Sequence, residues 1–98
     1  MKSVVYSERV KEEPTLQSFA QRATEVLDEV LGPSAGLVDA AWDRIHDTKG
    51  RTLVSLRVSD WSGSAETRFA PWETGQIVRL RLYHLWGDLL QARSHMEA

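Results

Sequence analysis

Asp39, Asp43, His46 and Asp47 are the densest gathering of metal-ligating side chains in this 98-residue chain, and their spacing tests whether they can share an ion. In an extended strand, side chains alternate between faces. Asp39 and Asp43 therefore point one way, His46 points the other, and Asp47 belongs to the turn that follows. Three convergent ligands are not available from this segment. Cross-strand pairing of Asp39 or Asp43 with Arg57, and capping of the turn by Asp47, account for the same residues. Nine serines and three histidines offer no nucleophile in a recognisable setting, and the Gly-x-Ser-x-Gly elbow is absent. There is no cysteine, hence no thiol chemistry, zinc–thiolate site or disulfide. The six glycines are dispersed and form no phosphate-cradling loop. No catalytic, cofactor-binding or metal residue is assigned.

What remains are contact residues. Trp61 is bracketed by Asp60 and Gly63 at a loop tip, and Trp72 stands between the last strand and the last helix. Tryptophan offers a large contact area at low entropic cost. Ile45 and Leu53 are apolar residues on the polar side of their strands, Leu80 lies opposite the apolar stripe of the last helix, and Arg79 and Arg81 are the only clustered cations. These seven form the expected interaction surface.

Two loops of one pattern, Asp47-Thr48-Lys49-Gly50 and Asp60-Trp61-Ser62-Gly63, define the strands that carry most of these residues. Asp opens such a turn by accepting backbone N–H groups, and Gly closes it through a bulge. A three-residue first loop pairs Asp47 with Arg51, and so Trp42 with Leu56, Ala40 with Val58 and Arg44 with Val54. Val38, Ala40, Trp42, Val54, Leu56 and Val58 then share the core face. In the second loop a three-residue closure would place Glu66 and Arg68 on the core face and turn Phe69 outward beside Ile45 and Leu53, whereas a four-residue closure, which the hydrophobic pattern prefers, brings Ala65, Thr67 and Phe69 inward. Trp42 should be buried against Leu56 and covered by the last helix near Trp86.

Helices flank the hairpins. Leu16, Phe19, Ala20, Ala23, Leu27, Val30 and Leu31 recur at spacings of three and four, predicting a helix from Pro14 or Thr15 until Gly32-Pro33 stops it. Val78, Leu82, Leu85, Trp86 and Leu89, widened by Tyr83 and Leu90, predict a second over 76–93. Gly87 interrupts that helix at a cost of about 1 kcal/mol relative to Ala. The expected fold is α+β, a two-layer α-β-β-β-α arrangement in which a three-stranded antiparallel meander packs on two helices. Residues 1–13 form a flexible lead-in or a short edge strand at Val4–Tyr6, 14–94 a single domain, and 95–98 a frayed tail.

Helix, three-strand meander, helix resembles the order of double-stranded-RNA-binding domains, and with a strand at Val4–Tyr6 that of ribosome hibernation-promoting factors. The resemblance is one of topology. Such RNA-binding domains open their last helix with a lysine cluster, whereas this one opens Thr74-Gly75-Gln76-Ile77-Val78 with Arg79 and Arg81 beyond. It implies an RNA or ribosome contact through Arg79, Arg81, Arg57 and Trp61 as the alternative function.

Composition weighs against that alternative. Net charge is −2, and nucleic-acid binders ordinarily show a basic excess. Apolar residues at 42% and charged residues at 27% are ordinary globular values, so a packed core is expected. The missing cysteines favour a reducing cytoplasm, no apolar run is long enough to span a membrane, and the excess of Arg over Lys with no Asn fits a bacterial, GC-rich origin. The leading expectation is a small cytoplasmic protein without catalysis or cofactor, whose partner is itself, as a homodimer, or another protein. An enzyme or metal protein whose site converges only in the fold is the third possibility.

Overall fold

The computed structural model describes residues 1–97. Its strands are β1 (Ser3–Tyr6), β2 (Asp39–His46), β3 (Thr52–Asp60) and β4 (Gly63–Phe69), and its helices α1 (Glu8–Lys11), α2 (Pro14–Leu31) and α3 (Gly75–Glu97). A 3-10 segment, Gly32–Leu37, joins α2 to β2. The fold is α+β, and the four strands lie in sequence order, β1-β2-β3-β4. β1 runs parallel to β2 and the other pairs are antiparallel, so the sheet is mixed rather than a pure antiparallel meander. Parallel neighbours need a long crossover, which α2 supplies.

Turn chemistry sets the register. The Asp47 N–H donates to the Arg51 carbonyl and the Gly50 N–H to the Asp47 carbonyl, with Gly50 at φ +78°. A side chain at that φ would be strained, so glycine is required. Trp42 consequently faces Leu56, Ala40 faces Val58 and Arg44 faces Val54. In the second hairpin Ser59 faces Ser64, Leu56 faces Thr67 and Val54 faces Phe69, the register of the four-residue closure, but the strands run on to pair Asp60 with Gly63, so only Trp61 and Ser62 make the turn. Phe69 is fully buried as a result.

Core side chains of the sheet meet those of α2 and α3. Trp42 is buried and its indole N–H donates to Thr24 Oγ1 at 2.9 Å; Thr24 in turn donates to the Ala20 carbonyl at 2.8 Å. Phe69 lies 6.0 Å from the Trp42 ring and 5.7 Å from Phe19. Trp42 is thus tied to α2. Trp86 is only partly buried and lies beneath the guanidinium of Arg93, at 4.9 Å.

The expected pairing of Asp39 or Asp43 with Arg57 does not form. β1 and α1 place nearer partners beside both carboxylates: Ser3 donates to Asp39 at 2.6 Å, while Ser7 and Arg9 reach Asp43 at 2.7 and 2.6 Å. Ser7 also caps α1, and fully buried Val10 anchors that short helix in the core. Helix α3 is assigned through Glu97, and the last residue of the expected frayed tail, Ala98, lies outside the described residues.

Candidate interaction surface

Where β4 turns into α3, local geometry builds a cleft. The β2–β3 turn contributes Asp47 and Arg51, β3 contributes Leu53, β4 contributes Arg68, and the connection to α3 contributes Trp72 and Glu73, with Arg81 reaching in from the helix; the cavity is about 230 Å³. Both carboxylates are turned to internal duties. Asp47 accepts the backbone N–H groups of Lys49 and Arg51, each at 2.9 Å, and Arg51 Nε at 2.7 Å. The Arg51 N–H, then its side chain, hold the Asp47 carboxyl below its ordinary pKa against the slight opposing effect of burial. Glu73 accepts the Ala70 N–H at 2.8 Å and Arg81 Nη1 at 2.9 Å. Arg81 Nη1 also donates to the Arg68 carbonyl, which covers a backbone group on the outer edge of β4. Arg68 itself is exposed and has no ion-pair partner among the described residues.

Leu53 and Ile45 face each other across β2 and β3, half-buried on the sheet face turned away from the helices. Trp72 is 70% exposed. Of the seven expected contact residues, Leu53, Trp72 and Arg81 therefore meet in this cleft, with Ile45 adjoining.

The other three stand elsewhere. Trp61, 61% exposed, is at the opposite end of the sheet, in the β3–β4 turn. That turn is pinned by Arg93, whose Nε and Nη2 lie 2.9 and 2.8 Å from Asp60 Oδ2. Only the Nε contact has hydrogen-bonding geometry, so Nη2 is held by charge alone. Burial acts to raise the Asp60 pKa, but the Ser62 hydroxyl and N–H together with Arg93 outweigh it and hold the carboxyl below its ordinary value. Arg79 bridges α3 to α2 through Glu29 at 2.8 Å. Leu80 projects from the outer side of α3.

That outer side carries more than the sequence indicated. Tyr83 and Leu90, expected to widen the buried stripe, are 52% and 41% exposed. At 100° per residue, Leu90 is a full step away from buried Leu89, and Tyr83 the same step beyond buried Leu82. With Leu80 they surround Gly87, where an added Cβ would meet nothing within 4 Å. Gln76, His84, Gln91 and Ser94 are also exposed, and no charged residue interrupts this face.

Among the described residues no three His, Asp or Glu side chains stand where they could hold one metal ion. A cavity of about 420 Å³ brings Lys2, Asp39, Asp60 and Trp61 together, but Asp60 is taken by Arg93 and Asp39 by Ser3. A third, of about 300 Å³ between α2 and the start of α3, is walled by Phe19, Ala23, Val26 and Val78 with Arg22 and Glu73. Neither gathers a nucleophile with a base. Among the described residues no helix is long and apolar enough to cross a membrane.

No family model, curated protein or solved structure matches this chain.

Proposed function

We propose that this is a non-catalytic contact protein of the bacterial cytoplasm that works as a homodimer, joined through the outer face of α3. Gly87 carries the argument. A mid-helix glycine costs about 1 kcal/mol relative to alanine. No atom of its own chain would obstruct a methyl group there, so the fold itself supplies no reason for it. Close approach of a second helix does supply one. An antiparallel pairing about a two-fold axis near Leu85 sets Tyr83 over the partner's Gly87 and Leu80 against the partner's Leu90. Large meets small and apolar meets apolar, as an isologous interface requires.

Magnitude sets the strength. From Gln76 to Ser94 this face is about 28 Å long. Two such faces bury about 1,000 Å² in total, at the low end for specific interfaces, so the dimer is weak and concentration-dependent. The residues of the RNA alternative lie apart: Arg79 and Arg81 are engaged with Glu29 and Glu73, and Arg57 is on the open sheet face.

Sedimentation velocity over a range from micromolar to millimolar protein tests the reading. The expected result is a monomer–dimer equilibrium that Leu80→Glu abolishes. Gly87→Ala should weaken association while raising the stability of the dilute monomer, because the methyl group fills open space. A monomer throughout the range, or Gly87→Ala associating as well as the parent, overturns it.

A further inference from the structure

The cleft beside Trp72 has a chemistry of its own, independent of the α3 face. We propose that it docks an acidic peptide segment of a partner protein, one in which a carboxylate neighbours a large apolar side chain. Charge complementarity carries the choice. Three guanidiniums and two carboxylates line the site, and both carboxylates are sunk, Glu73 at 13% and Asp47 at 16% side-chain exposure. Asp47 is occupied by two backbone N–H groups and Arg51 Nε, and Glu73 Oε1 by the Ala70 N–H and Arg81 Nη1, while Glu73 Oε2 is buried without a hydrogen-bond partner. Outward, the cleft shows the remaining N–H groups of Arg51 and Arg81 and the whole of Arg68. In a chain of net charge −2 the mouth of this cleft is locally positive, and an anion is its complement.

The apolar half of the ligand follows from the walls. Trp72 lies almost open at the rim, Leu53 forms part of the wall, and Ile45 extends it onto the sheet face. An exposed indole beside guanidiniums is the composition of an interface anchor. About 230 Å³ holds one side chain rather than a drug-sized ligand. Single-stranded RNA would also stack on an indole, but it needs several phosphate contacts, and here only Arg68 is wholly uncommitted.

Titrating the ¹⁵N-labelled protein and following the Trp72 indole N–H, assigned by its loss in Trp72→Phe, decides the matter. The probes are a capped hexapeptide alternating Asp with Phe, the same peptide with Asn for Asp, and decauridylate. The acidic peptide should shift the Trp72 signal and bind at least about tenfold more tightly than the Asn peptide, the difference one charged hydrogen bond makes. Arg68→Gln should remove that difference, while Arg57→Gln on the same sheet face should leave it intact. The proposal falls if the acidic peptide is silent at millimolar concentration, if both peptides bind alike, if Arg68→Gln changes nothing, or if decauridylate binds more tightly than the acidic peptide.

Discussion

The indole N–H of Trp42 is sealed from water, and its bond to Thr24 Oγ1 is what allows so large a polar-edged ring into the core. Trp42→Ala removes that bond and leaves a cavity, for an expected loss of about 3–5 kcal/mol. Asp43, on the opposite face, is partly solvated but accepts from Ser7, Arg9 and the Arg44 N–H. Asp43→Ala should therefore cost less, about 1–2 kcal/mol. Urea titration of both variants checks the order, and the reverse order would contradict the register. Burial acts to raise the Asp43 pKa, yet its hydrogen bonds and the Arg9 charge outweigh it and set it below the ordinary value. Its stabilisation is accordingly complete above the unfolded pKa of about 4 and is lost as pH falls through the lower folded value. Asp43→Asn should flatten that acid limb.

At the scale of elements, α3 is fastened at both ends by arginine: Arg81 near its start to Glu73 and the β4 edge, Arg93 near its end to Asp60. The Asp60 side chain has no exposed surface and Arg93 only 17%. Removing one partner strands the other charge, so Arg93→Met should cost about 3–5 kcal/mol. Adding Asp60→Asn should restore part of it. Equal loss in the single and double variants would show that the methionine, and not the stranded carboxylate, is at fault. This fastening was invisible in the sequence because its members lie 33 residues apart. The hairpins were legible for the converse reason: Asp47 and Gly50 fix the turn locally, and the alternation of Trp42, Val54 and Leu56 agrees with it. Helix α2 was equally plain, with apolar residues on one face only. Helix α3 has them on both, and periodicity alone assigned Tyr83 and Leu90 to the wrong side.

Across the whole molecule, the cleft was half legible. Leu53, Trp72 and Arg81 stand out in the sequence as contact residues, but their meeting depends on a turn, a strand end and a helix start converging, and Arg68 is distinguished only by the pairing of its neighbours in the fold. The parallel pairing of β1 was hidden too, since four residues carry little pattern and Ser3 meets Asp39 from 36 positions away. That strand has a bearing on how the protein ages in solution. β1 is flanked by Met1, whose amino group pairs with Asp28, and by α1, which is held by buried Val10 and by Arg9 on Asp43; salt weakens the two ion pairs and leaves the apolar anchor. When β1 lifts, it uncovers the backbone edge of β2 over Asp39–Trp42, part of an eight-residue strand that contains no proline. An open edge of that kind recruits other chains. Precipitation should therefore begin from a nearly native form that has shed only its first strand, and salt should hasten it. Hydrogen exchange at Val4–Tyr6 should outpace that at Val54–Val58 and quicken with ionic strength, whereas equal protection of the two strands would place the start of aggregation at global unfolding.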